Sequence, residues 1–179
     1  MKVGTKSILF GVHQFIWHPI TVLIAWWKLY GRPNWPEFVC IIIHDWGYWG
    51  KSNMDGEEGE SHPELACLLT SKWFGIRSEY GRLCLLHSRH YARLSNQEPS
   101  KLCWADKLSI KYDPWWFYLP RAILSGEIKE YRKSAADSGH TPIDRTHREW
   151  FKWVKEYLSK QGIDQKSSAK LINRERKAG

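Results

Sequence analysis

The sequence predicts a mainly α fold, a single-domain helical bundle, and three observations carry that prediction. Apolar residues recur at spacings of three and four along most of the chain. No stretch alternates apolar and polar residues long enough to demand a sheet. The 179 residues, 42% hydrophobic with 12 tryptophans, are about one domain long and can bury a core without help from a disulfide or a structural metal.

Taken in order, the stretch from Ile8 to Trp27 is apolar enough to suggest a membrane span. It contains His13, Gln14, His18 and Pro19, each costly in hydrocarbon, and lacks the small-residue cleavage pattern of a signal peptide. Pro19 suits a first helical turn, after which Val22, Ala25, Trp26 and Leu29 recur at helical spacing until Gly31 and Pro33 stop the run. A second helix, begun at Pro36, carries Phe38, Val39 and Ile41 to Ile43 and ends on the polar pair His44-Asp45. Residues 47–59 are rich in Gly, Asn, Asp and Glu and read as a surface loop. Ser61 and Glu64 match a capping box opening a helix through Leu65, Leu68, Leu69 and Trp73 to Gly75. One further helix is expected to carry Tyr80, Leu83, Cys84, His87 and Tyr91 on a shared face, with His90 beside His87. After a turn at 97–99, another holds Leu102, Cys103, Asp106 and Leu108. The aromatic run 114–120 and an amphipathic segment with Phe151, Val154, Tyr157 and Leu158 read as packing elements that close the domain. The organisation expected is one domain over 1–162, with a core at 18–109 and closing helices at 110–162. A basic, flexible tail over 163–179 follows, containing Lys166, Lys170, Arg174, Arg176 and Lys177. No internal repeat is found.

Cys40, Cys67, Cys84 and Cys103 are widely separated among apolar neighbours with no C-x-x-C pair, so they read as reduced core residues of a cytoplasmic protein. The net charge of +8 attracts anions: nucleotides, nucleic acid or an acidic surface. Successive helices each place a histidine or aspartate at an inward or terminal position: His18, His44-Asp45, His62, His87 and Asp106, with His13 the rival for the first place. Burying so many ionisable groups is expensive unless cations compensate. Four imidazoles and two carboxylates suit Mn, Fe, Ni, Co or Zn better than Ca, which takes oxygen shells.

The series H…HD…H…H…D resembles the ligand series of the HD superfamily of metal-dependent phosphohydrolases. SHPELACLL, CLLHSRHYA and WADKLS are similar to later ligand helices of its two-metal branch, which includes HD-GYP domains. The likeness spans His18 to Asp106; it departs where His87 is followed by Ser88, and the GYP element is missing. It implies one or two divalent metals, with Asp45 bridging a pair, His18, His44 and Asp106 completing one shell, and His62 and His87 the other. The implied reaction is hydrolysis of a phosphoester, of a nucleotide or a similar small anionic substrate, by a metal-activated hydroxide. Asp45 is then catalytic, Lys51 and Arg89 are candidates to clamp the phosphate, and His90 could be a substitute ligand, donate a proton to the leaving group or support the site. The tryptophans and tyrosine of the 46–49 stretch could stack on a base, although packing is the simpler role. Two alternatives remain open: an HD-fold mixed-valent diiron oxygenase, and a non-catalytic nucleic-acid or nucleotide binder.

Overall fold

The computed structural model describes residues 1–139 and 145–178, with side chains through residue 164. Among the described residues there is no β-strand, and the mainly α single-domain bundle expected from the sequence is what the chain forms. Among the described residues no helix is long and apolar enough to cross a membrane.

The first helices are α1 (Val3–Phe10), α2 (Trp17–Tyr30) and α3 (Trp35–Ile43). Gln14 caps α2, its Oε1 accepting from the Trp17 and Ile16 amides at 2.6 and 3.2 Å. Asn34 and Glu37 form a reciprocal capping box on α3, one residue ahead of the expected start at Pro36. The loop read at 47–59 is more ordered than its composition suggests. A 3-10 turn at Trp46–Tyr48 opens it and the short α4 (Glu57–Glu60) closes it.

Two expectations of the middle region are corrected. Ser61 and Glu64 make no capping box: the Ser61 hydroxyl donates to the Glu58 carbonyl and accepts from Lys51, while Glu64 accepts from the Tyr91 hydroxyl. The following α5 (Pro63–Phe74) starts on Pro63, which needs no amide partner in a first turn. The single helix expected across Tyr80 to Tyr91 is two, α6 (Glu79–Leu85) and α7 (Arg89–Leu94), because Ser88 caps the second by accepting from the His90 amide at 3.1 Å. His87 thus sits in a break between helices.

The remaining helices are α8 (Lys101–Ser109), α9 (Trp115–Ser125), α10 (Glu127–Asp137) and α11 (His147–Ala178). Of residues 165–179, read from sequence as a flexible tail, the side chains lie outside those described, although the α11 backbone runs on to Ala178.

Helix α5 packs on α6, α2 on α8, and α11 across α8 and α9. The apolar core falls into clusters. One cluster is drawn from α2, α3, α5, α6 and α8 around Val22, Trp26, Ile41 and Leu102. A second gathers Val12 with Ile110, Tyr118, Ala122, Ile128, Trp150 and Phe151. All four cysteines are free, three of them buried.

Candidate metal centre

Five chain segments deliver the polar cluster, each for a local reason. His18 lies in the first turn of α2, where the Thr21 hydroxyl donates to its carbonyl at 2.8 Å. His44 caps the apolar α3, and Asp45 follows in the 3-10 turn. Gly47 lets that turn approach His62: a Cβ there would lie 1.9 Å from the His62 carbonyl oxygen. Tyr48 then stacks flat on the His62 ring, with centroids 3.9 Å apart and planes inclined by 12°. This packing is what the structure assigns to the one buried aromatic of the 46–49 stretch. His87 comes from the α6–α7 break and Asp106 from α8.

Hydrogen bonds set the tautomers. Nδ1 of His44, His62 and His87 each contacts a carbonyl, of Ile41, Gly59 and Cys84, at 2.9, 2.7 and 2.5 Å. A carbonyl only accepts, so each Nδ1 carries the hydrogen and each neutral ring turns a bare Nε2 lone pair inward. Between His62 and His87 those lone pairs face each other, and His44 turns its own toward His18. Nε2 of His62 lies 2.9 Å from Nε2 of His87, and Nε2 of His44 lies 3.3 Å from Nε2 of His18.

Asp45 stands between the two groups and turns one oxygen to each. Its Oδ2 is 3.0 Å from His18 Nε2 and 3.1 Å from His44 Nε2. Its Oδ1 is 3.6 Å from His62 and 3.4 Å from His87. Asp106 Oδ1 lies 3.2 Å from His18 and 4.0 Å from His44. Despite these short distances, no donor among the described residues reaches the buried Asp45 Oδ2 with good hydrogen-bond geometry. Lone pairs aimed at lone pairs repel, and a buried unpartnered carboxylate oxygen costs on the order of 1–3 kcal/mol or more. A cation placed among them converts both penalties into coordination. The residues present therefore fit a metal: His18, His44, Asp45 and Asp106 form one group that could hold an ion, and Asp45, His62 and His87 another.

The electrostatics agree. Burial and the neighbouring His87 hold His62 well below its ordinary pKa, which keeps it in the neutral form a metal needs. Burial alone would raise Asp45, yet positive charge held among the surrounding rings of His44, His13 and His18 keeps it well below the carboxylate range. Asp106 is likewise depressed, burial being outweighed by the Lys107 charge and the contact with His18. Burial pulls His18 down, but Asp106 and Asp45 more than offset this and raise it to about 10. In the absence of a cation, a proton on His18 is held in its place.

The cluster forms the floor of a pocket of about 570 Å³. Arg89, His90 and Arg93 of α7 and Lys107 of α8 line it, as do Trp150, Trp153 and Tyr157 of α11. Asp55 and Glu60 also line it, and burial raises Asp55 above its ordinary pKa. All six residues expected as metal ligands are brought together, and Arg89 and His90 stand at the pocket beside them. Lys51 is not brought there. Its ammonium donates to the Ser61 hydroxyl at 2.6 Å, outside the lining of this pocket. The cation that stands beside the cluster is Lys107, 3.4 Å from Asp106 Oδ2; its position directly after an expected ligand is the one sequence signal that could have found it. His13, the rival to His18, also reaches the pocket, but its Nδ1 lies 3.0 Å from Glu127 and its Nε2 3.9 Å from Asp45. Glu127 carried no sequence signal, since its partners Ser7, Val12 and His13 lie far back in α1 and the α1–α2 connection.

Comparison with models of protein families, with curated proteins and with solved structures returns no match.

Proposed function

We propose that this chain is an HD-type metal-dependent phosphohydrolase acting on a small anionic phosphoester, with a nucleotide the substrate its pocket suits best. The observation that carries the reading is the convergence of bare imidazole lone pairs on the two oxygens of one buried carboxylate, Asp45, at the floor of a cation-lined pocket. Divalent ions held by His18, His44, Asp45 and Asp106 and by Asp45, His62 and His87 would supply Lewis-acid polarisation of a phosphoryl oxygen and make a water acidic enough to attack near neutral pH.

The chain's own residues do the rest. Arg89 and Lys107 neutralise the phosphoryl oxygens, and the guanidinium can bind two of them side by side. Arg93, one turn beyond Arg89 on α7, offers a second guanidinium for any further phosphate. His90 lines the same wall, where it can pass a proton to the leaving oxygen. The α11 wall is aromatic. Trp153 and Tyr157 lie nearly parallel, with centroids 5.2 Å apart, and the Trp150 indole N–H is buried without an acceptor. A flat apolar surface with a donor beside it suits a nucleobase, and the pocket volume falls in the range of ordinary small-ligand sites.

Elemental analysis of purified protein, followed by hydrolysis of a nucleotide panel with added Mn, Co or Ni, tests the proposal. The expected result is bound transition metal and metal-dependent phosphate release, abolished in His44→Ala. Arg89→Ala and Lys107→Ala lower kcat/KM by about 10- to 100-fold, the effect of losing a charge-assisted hydrogen bond, whereas Lys51→Ala stays within about twofold. The cation-lined wall favours this reading over oxidation on the same ligands. No hydrolysis of any phosphoester by fully loaded protein, or oxygen uptake by its iron form, overturns it.

A further inference from the structure

Helix α11 separates two cavities. Trp150, Trp153 and Tyr157 occupy its inner face, and Arg148, Lys152 and Lys155, at i, i+4 and i+7, occupy the opposite one. That outer face borders an open groove of about 730 Å³, whose other side is Trp115 and Trp116 at the start of α9. The groove shares no lining residue with the metal centre.

Its chemistry is aromatic and cationic together. Trp116 is 64% exposed and Trp115 45%, costly positions for indoles with no ligand to cover them. The Arg148 guanidinium lies over the Trp115 ring, 4.5 Å from its centroid. Lys155 is anchored beside them, donating to the Asp113 carbonyl at 3.1 Å, and Lys152 projects from the exposed face between. Among the described residues the groove has one carboxylate, Glu149, which is already engaged as acceptor by the amide and hydroxyl of Thr146. Among those residues three cations therefore face a single, occupied anion, on a chain of net charge +8.

From this juxtaposition we infer that the α9–α11 groove binds single-stranded nucleic acid, with unpaired bases stacking on Trp116 and Trp115 and phosphates paired to Arg148, Lys152 and Lys155. Unpaired bases are required because a duplex has its base faces already stacked. An acidic peptide would satisfy the cations but leave the indole faces uncovered. The contacts use base faces and phosphates, which DNA and RNA share, so both sugars are accepted.

The test is fluorescence anisotropy with labelled 15-nucleotide oligo(dT) and oligo(U) and a 15-base-pair duplex, on full-length protein in chelator so that no strand is cut. Both single strands are expected to bind at least about tenfold more tightly than the duplex. Trp116→Ala weakens binding about tenfold, and Trp116→Phe restores most of it. Lys152→Ala lowers the slope of log K against log salt by about 0.7, the share of one phosphate contact on a single strand. Both side chains are exposed, so folding is not at stake; unchanged thermal melting of each variant checks this. Lys107→Ala, in the metal pocket, leaves oligonucleotide affinity unchanged. Equal affinity for the duplex, insensitivity to Trp116→Ala, or binding of an oligo-glutamate peptide or anionic phospholipid vesicles that displaces the oligonucleotides overturns the inference.

Discussion

Two buried polar clusters share one pocket wall, and they solve the burial problem in opposite ways. Glu127 is fully buried, and donors surround its carboxylate. Oε1 accepts from the Ser7 hydroxyl at 2.6 Å, from His13 Nδ1 at 3.0 Å and from the Tyr131 hydroxyl at 3.1 Å. Oε2 accepts from the Val12 amide at 2.9 Å and from the Ser125 hydroxyl. Asp45, in contrast, is ringed by imidazole nitrogens of which at least three are turned to it as lone pairs, and among the described residues its Oδ2 completes no hydrogen bond of good geometry. Both carboxylates are depressed, Glu127 because hydrogen bonds from His13, Ser125 and Ser7 and the His13 charge outweigh the burial that would raise it. Burial and a shifted pKa thus fail to distinguish the two carboxylates. The count of donors separates them: a closed network ties α1 to α10, and an open one could hold a cation.

The comparison breaks most visibly at its open end. Asp45→Asn replaces one bridging oxygen by an amide donor, so metal content should fall and hydrolysis drop by more than about 100-fold, beyond the 10- to 100-fold typical of residues that only support ligands. The apo fold should persist by circular dichroism. Full metal loading in this variant would mean that Asp45 is not the shared ligand.

The closed end should answer in stability. Glu127→Leu strands the Ser7, Ser125 and Tyr131 hydroxyls, the His13 ring and the Val12 amide, and is expected to cost about 3 kcal/mol or more, read from the urea midpoint. Metal content per folded chain should stay at the wild-type value. Loss of metal with unchanged stability would erase the distinction between the clusters.

The smallest effect, a few degrees of melting temperature, is expected from pH. His18 has a folded pKa raised from 6.5 to about 10, so in chelator it contributes stability that is full below 6.5 and is lost as pH rises through about 10. A metal ion held by His18 would take the place of that proton, and the loaded protein should not show the alkaline decline. Glu127, with a depressed pKa, contributes stability present above 4.5 and lost as pH falls below it. Asp45 and Asp106 respond to acid in the same sense, so only the alkaline limb distinguishes the clusters. An identical alkaline decline with and without metal would show that His18 is not a ligand.

Much of the fold was legible in the sequence because its signals are local. Pro19, Gly31, Pro33 and Gly75 punctuate the helices close to where they start and stop, and spacings of three and four place Val22, Trp26 and Leu29 in the core. Where local signals competed, reading failed. Ser61 and Glu64 have capping chemistry, but Lys51 and Tyr91, distant in sequence, claimed their side chains. The periodicity across Tyr80 to Tyr91 ran through a break that the Ser88 cap imposes, and that break is what aims His87 at His62. Lys51 looked eligible as a phosphate clamp by its nearness to Asp45 in sequence, yet the 3-10 turn at Trp46–Tyr48 carries it away.

The sequence by itself determined the donor types, their order and the helices that bear them, because residue chemistry and helical period are properties of short segments. Tertiary packing alone decided that Asp45 turns one oxygen to each imidazole group, that Lys107 and not Lys51 stands beside the cluster, and that α11 divides its faces between two cavities. Those relations join residues tens of positions apart, and no local pattern encodes a distance between them; they exist only once α2, α3, α5 and α8 close on a common core.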